Sequence, residues 1–340
     1  MIFNVGSLSY HDNSETIFNA VKSYIGDVKK LVKPDYSLMN LENYIANQKS
    51  RPANFTISSK KRSMSIITSY GCPHNCVFCA TRTISGHSTA FRKAEDVLDE
   101  IDYLVNTHRV NDLTFLDDNI LVDRKRAEII FNGIIERNYD LDLKMMNMAA
   151  WTLDEDILRL MKKAGFTRIG IAIESGCDRV LHKIIRKPLK LEIIPPLVKL
   201  CRKYDILLFA DFIIGLPGET WDEIRQTFRF AYECDLDLCM FHIASPLPKT
   251  EIYYIAMEQK LLPKDFSFFQ DDVSLGFAKG CITTDEFTPQ ELMVVRAYEW
   301  DRINFDTKER RERACRVMEI SEAQMQEHRR QTRRKLGIYF

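Results

Sequence analysis

Six short apolar runs, separated by helix-length segments, constrain this chain more than any other feature: SMSIIT from Ser63, LTFLDD from Leu113, LKMMNMAA from Leu143, TRIGIAIE from Thr167, ILLFADFIIG from Ile206 and LCMFHIA from Leu238. The segments between them, 94–107, 123–138, 153–164, 177–204 with an interruption, and 219–234, have the length of helices. Strands that are apolar almost from end to end are buried on both faces, so the alternation predicts a parallel sheet covered by helices and joined by right-handed crossovers. Pattern alone does not choose between an open sheet and a barrel. The third helix is the best punctuated, since Thr152 and Glu155 read as a T-x-x-E capping box and Gly165 stands where the C-terminal cap belongs. Thr220 reads as the N-cap of the fifth.

The flanks differ in character. Residues 1–62 are polar and hold Pro34 and Pro52, with a helix expected only near Thr16 to Tyr24, and read as a linker or lid. Residues 63–245 read as the core, and 246–340 as a helical extension with an aromatic stretch, DFSFFQ from Asp265, and an Arg-rich tail expected to be a solvated helical pair. With 48 basic and 48 acidic residues the formal charge is zero, so nothing demands a nucleic-acid partner. The N-terminus has no basic region leading into an apolar run, and the most apolar stretch is broken by Asp211, so the chain is expected to be soluble and cytoplasmic, with no membrane partner. Nine cysteines in a chain of this length read as reduced thiols.

Three of those cysteines, Cys72, Cys76 and Cys79, fall in SYGCPHNCVFCAT with the spacing C-x3-C-x2-C. Structural zinc, with His74 or a distant residue as the fourth ligand, usually brings a second close pair, and no other C-x2-C occurs. An iron-sulfur cluster that only carries electrons takes four thiolates. Held by three, it keeps one iron open to a substrate or cofactor, and Phe78 places a flat apolar surface beside it. A catalytic cluster, a noncatalytic iron-sulfur protein and a zinc-stabilised binding module all remain readings of the spacing itself.

This C-x3-C-x-Φ-C motif after a strand resembles that of the radical S-adenosylmethionine superfamily. The resemblance implies a partial (β/α)6 TIM-like barrel over residues 63 to about 245, an N-terminal linker and an α-rich C-terminal extension. It also implies a 4Fe-4S cluster on the three cysteines, S-adenosylmethionine bound through its amino and carboxylate groups at the open iron, and a 5′-deoxyadenosyl radical that abstracts hydrogen from a small-molecule substrate. An electron donor such as flavodoxin or ferredoxin would be the partner. FLDDN, IAIESG, RKPLKLE and FIIGLPGET further resemble cobalamin-dependent methylases of the fosfomycin-type hydroxyethylphosphonate branch, and GSLSYHDN with LVKPDYSLMNLENYI looks like the segment joining their cobalamin domain to the barrel. In that family the cobalamin domain precedes this segment, whereas about 62 residues precede the barrel here. A truncated remnant, a cobalamin-free enzyme and a cobalamin-carrying partner all fit that length.

Barrel active sites collect at the C-terminal ends of strands, so polar residues there are the remaining candidates. By resemblance, Glu174 at the end of TRIGIAIE, Asp117 and Asp118 in the FLDDN run, and Gly215 in GLPGET contact the cofactor, although either aspartate could cap a turn instead. Asn147, Asp211, His242 and Ser245 are expected toward substrate, against the plainer role of a hydrogen-bonded core residue for His242. Met145, Met146 and Met148 are expected to fill core, and Cys177 to be a buried inert thiol. No residue is assigned as the catalyst, and the substrate is not named by the sequence.

Overall fold

The six apolar runs are the six strands of one sheet. A computed structural model describes residues 9–12, 15–18, 34–48, 61–86, 88–264, 266 and 278–335. In it, β1 (Ser63–Ile66), β2 (Asp112–Phe115), β3 (Asp142–Met148), β4 (Phe166–Glu174), β5 (Leu207–Ile214) and β6 (Leu238–Ile243) pair in sequence order, all parallel. That is the curved (β/α)6 arrangement of a partial barrel, with β1 and β6 at its edges. Each crossover brings a helix back over the sheet: α1 (Ala94–His108), α2 (Arg124–Arg137), α3 (Glu155–Ala164), α4 (Ile194–Lys203) and α5 (Trp221–Glu233).

The local chemistry explains the boundaries. In α3, Ile157, Leu158, Met161 and Ala164 are buried at helical spacing, which gives one apolar face for the sheet. Gly165 ends it at φ 106°, where a Cβ would meet the Leu141 carbonyl oxygen at 2.7 Å. The start is a correction to the sequence reading. Asp154, not Thr152, is the N-cap, accepting the Ile157 N–H at 2.9 Å, because Thr152 belongs to a 3-10 turn and gives its hydroxyl to the Ala149 carbonyl. Thr220 and Glu223 do form the capping box of α5. Between sheet and helices, Phe115, Phe131 and Phe166 pack ring to ring at 5.1 to 6.5 Å in the core.

The N-terminal mouth of the barrel is closed by charge. Lys144 and Asp112 form a fully buried pair at 2.6 Å. Arg168 reaches out of β4 to Asp142, to the Val317 carbonyl at 2.9 Å and to Glu319. Val317 belongs to the first of the two tail helices, Lys308–Met318 and Glu322–Lys335. The tail is thus the expected helical pair, solvated along much of its length, with some of its arginines tied to the barrel. Arg313 bonds Asp235 at 2.5 Å and lies 3.2 Å from Asp237, and Arg310 stacks 4.1 Å from the Tyr232 ring, so these arginines fasten the tail to barrel loops.

Two expectations fall wholly or partly outside the described residues: most of DFSFFQ, and most of the helix near Thr16 to Tyr24, where Glu15–Phe18 is a short strand paired with Ser9–Asp12. No helix among the described residues is long and apolar enough to cross a membrane.

Candidate active site

All six strands deliver their C-terminal ends to one side, and a cavity of about 520 Å3 opens there. The three cysteines enter it from the loop after β1. That loop needs glycine at its entrance: Gly71 sits at φ 87°, and a Cβ on it would meet the Ser88 carbonyl oxygen at 2.5 Å. Cys72, Cys76, Phe78 and Cys79 all line the cavity. The Cys79 N–H donates to the Cys76 carbonyl at 3.1 Å, a tight turn between two of the thiols. Burial pushes the Cys76 thiol up to about 12, against the opposing pull of Lys187, and raises that of Cys72 as well.

The two aspartates after β2 do different work. Asp118 lines the cavity and holds the cysteine loop at both ends, accepting the Gly71 N–H at 2.9 Å and the Thr81 hydroxyl at 3.1 Å. Asp117 is buried off the cavity wall, and its carboxylate is taken up by the Thr68 hydroxyl at 2.7 Å and the Ser69 hydroxyl at 2.5 Å. Its expected place toward a cofactor is therefore corrected: it ties the end of β1 to the end of β2. Gly215 is also off the wall. At φ 81° it starts the turn after β5 and gives its N–H to Glu219 at 2.7 Å, and a Cβ there would strike Leu292.

The opposite wall comes from β3 to β6. Asn147, Glu174, Asp211, His242 and Ser245 all line it, together with Met146, Met148 and Trp151. Of the three methionines expected in the core, only Met145 faces away from the cavity. Asn147 and Glu174 have φ of 54° and 73°, and each stands where the register of its strand slips against its neighbour. Such a bulge re-aims a side chain at the end of a strand, and left-handed backbone at a non-glycine costs on the order of 1–3 kcal/mol. Both strained residues face the cavity.

Two polar pairs organise this wall. Asp211 on β5 and His242 on β6 meet at 2.8 Å between Oδ1 and Nε2. Glu174 and Lys187 meet at 2.9 Å, both less than a tenth exposed, with the Lys187 ammonium 6.0 Å from the Trp151 ring centre and His74 edge-on to that ring at 5.0 Å. Burial and the neighbouring Lys187 both lower the His74 value. Lys187 and Trp151 were not singled out from the sequence. The available signal was the run HKIIRKPLK shortly after a strand-end acid, since a lone buried acid calls for a cation. Cys177 is buried beside Glu223, as an inert thiol would be.

With this geometry in place, comparison with known proteins is informative. Residues 66–231 match the model of the Radical SAM superfamily. The chain is 28% identical over 298 residues to the cytidylyl-2-hydroxyethylphosphonate methyltransferase of Streptomyces wedmorensis, covering 86% of this chain and 54% of the relative. It is 29% identical over 255 residues to an uncharacterized methyltransferase of Pyrococcus horikoshii, covering 75% and 52%. The chain thus spans about half the length of these curated relatives. Among solved structures, the radical S-adenosylmethionine methyltransferase TsrM of Kitasatospora setae, with cobalamin and a [4Fe-4S] cluster bound, superposes with a TM-score of 0.54 at 22% identity over 59% of this chain and 37% of that one, which shows a shared fold. The chain thus carries a radical SAM domain over residues 66–231.

Proposed function

We propose that the chain is a radical S-adenosylmethionine enzyme in which Cys72, Cys76 and Cys79 hold a 4Fe-4S cluster facing the cavity between β1 and β6. The observation that carries this reading is that three free thiols on one loop open onto one cavity whose far wall bears two polar pairs. When bound, such a cluster supplies the electron for cleaving S-adenosylmethionine to a 5′-deoxyadenosyl radical. The residues fit the group. Among the described residues no three His, Cys, Asp or Glu side chains converge on one ion, as a zinc site requires, whereas a cubane takes its thiolates at separate corners. Cys72, Cys76 and Cys79 would hold the cluster as thiolates.

The chain's own part is to bind, orient and exclude water. Phe78 offers an apolar face beside the cysteines, and Glu174 with Lys187 offers an acid and a cation to the amino and carboxylate ends of an amino acid. Met146, Met148, Ile213 and Met240 make the rest of the wall apolar, which favours exclusion of bulk water from the site. Asp211 and His242, paired across the last two strands, fall to the substrate, a small molecule. Reaction at an unactivated carbon, with methyl transfer as in the enzymes the relatives are named for, is the class this wall suits.

No described residue is assigned to cobalamin. Methyl transfer uses S-adenosylmethionine as methyl donor too and releases S-adenosylhomocysteine, so counting it beside 5′-deoxyadenosine separates methylation from hydrogen abstraction alone. A cluster of this kind belongs in a reducing compartment, and the cytoplasm is our placement. The test is anaerobic reconstitution with iron and sulfide, reduction with dithionite, and electron paramagnetic resonance with and without S-adenosylmethionine. A changed spectrum and 5′-deoxyadenosine support the reading; an unchanged spectrum sinks it.

A further inference from the structure

The charges around the cavity are lopsided. Among the described residues its wall holds three carboxylates, Asp118, Glu174 and Asp211, against one lysine, Lys187. Lys187 is committed to Glu174 at 2.9 Å. Asp118 is met by neutral donors, the Gly71 N–H and the Thr81 hydroxyl. Asp211 on β5 has His242 beside it. An ionised carboxylate accepts and cannot donate, so His242 gives its Nε2–H to Oδ1 at 2.8 Å and fixes the group, while Oδ2 takes no hydrogen bond from any other described residue. A second acceptor stands in the same wall. Asn119, in the loop after β2, is only 3% exposed and lines the cavity, and its Oδ1 is buried with no hydrogen-bond partner. A buried acceptor left unbonded is destabilising, and a ligand that donates to it removes the penalty. Toward β6 the wall is apolar, with Ile213, Met240, Ile243 and Leu247.

We infer that the substrate is an amine: a small molecule with an apolar body whose ammonium sits against Asp211, whose further N–H or O–H reaches Asn119, and which carries no phosphate, phosphonate or free carboxylate. The inference rests on the reading of this cavity as the reaction site and narrows its substrate class. An ammonium brings three donors and no acceptor, which matches two open acceptors, and a charge-assisted hydrogen bond to a carboxylate is stronger than a neutral one. An anion meets the reverse. It would give up water for an apolar cavity and find the one lysine of the wall already paired, and serving the amino-acid end of the cofactor in the reading above. It would also face Asp211 and Asp118, like charges that reject it.

The experiment titrates the full chain, before and after reconstitution, with a set of probes matched in shape and differing in charge: phenethylamine, 2-phenylethanol, 3-phenylpropanoate and 2-phenylethylphosphonate. Binding is followed by ligand-observed nuclear magnetic resonance. The amine should bind about tenfold tighter than the alcohol and tighter still than either anion. Asp211→Asn should bring the amine down to the level of the alcohol and leave the alcohol unchanged, and Asn119→Leu should weaken the amine about threefold. Should Asp211→Asn fail to fold, the ranking of the probes on the unaltered chain decides alone. An anion that binds as tightly as the amine, an amine preference that survives in Asp211→Asn, or no binding of the amine at millimolar concentration would each overturn the proposal. The titrations of the metal-free chain need no iron. They judge the substrate class even where S-adenosylmethionine leaves the spectrum of the reconstituted protein unchanged, the result that sinks the cluster reading.

Discussion

Replacing Lys187 by methionine removes the cation from a buried pair while keeping most of the side chain's volume, and its cost can be bounded from the structure. At 2.9 Å the attraction between Lys187 and Glu174 is about 6 kcal/mol for an effective dielectric near 20. Taking both ions out of water costs several kcal/mol each, so the intact pair contributes little net stability. Breaking it is another matter. Glu174 then stays buried without its cation, which costs about 3–5 kcal/mol. Lys187→Met should therefore destabilise the metal-free chain by about 3–5 kcal/mol. Adding Glu174→Gln should restore most of it, a coupling of at least about 2 kcal/mol. Urea unfolding followed by circular dichroism, on the two single variants and the double, measures all of this. A double variant that costs the sum of the singles refutes the reasoning.

Three further outcomes are expected. Cys76→Ala should not retain a four-iron cluster, and full iron and sulfide content after reconstitution would remove this cysteine from the ligand set. Burial holds the Glu219 carboxyl up to about 8 against an ordinary 4.5, and its Oε1 is buried with no hydrogen-bond partner while Oε2 accepts the Gly215 and Leu216 N–H groups. The folded state thus holds this proton more tightly than the unfolded state, so its stabilisation is complete below pH 4.5 and lost as the pH rises through 8, by on the order of 4–5 kcal/mol. Glu219→Gln should flatten that stretch of the stability profile, and an unchanged slope would show the carboxyl is already ionised. Asp118, the remaining case, sets the cysteine loop.

The barrel was legible because of how parallel sheets are buried. Strands covered on both faces must be apolar nearly throughout, so all six stand out as runs, and Thr220 stood out as the N-cap of α5, where the structure adds Glu223 to make a capping box. Where competing local bonds exist, the same kind of signal misleads: Thr152 matches the box, yet a 3-10 turn takes its hydroxyl and Asp154 caps the helix. The site was legible at the cysteines, whose spacing is local. It was not legible at Lys187, whose partner lies thirteen positions earlier across a turn. Nor could the sequence foresee the bulges that turn Asn147 and Glu174 into the cavity, because a register slip depends on the neighbouring strand.

Asp117 and Asp118 make the same point within two residues, and their difference can be tested. Neighbours in extended chain point to opposite sides, so only one of a DD pair can face the cavity, and the strand's register decides which. Asp117 faces the sheet end; Asp118 faces the cysteines. A carboxylate that bonds Gly71 before the first thiol and Thr81 after the last fixes the loop before iron arrives. Asp118→Ala releases both ends. It should lower iron retention against a chelator, while Asp118→Asn, which still accepts from Gly71, should retain much more. If Asp118 served instead only to bind the cofactor's amino group, both variants would keep wild-type iron content and lose S-adenosylmethionine binding. Iron retention in Asp118→Ala equal to that of the unaltered chain would therefore refute the clamp and return this residue to the role its motif first implied.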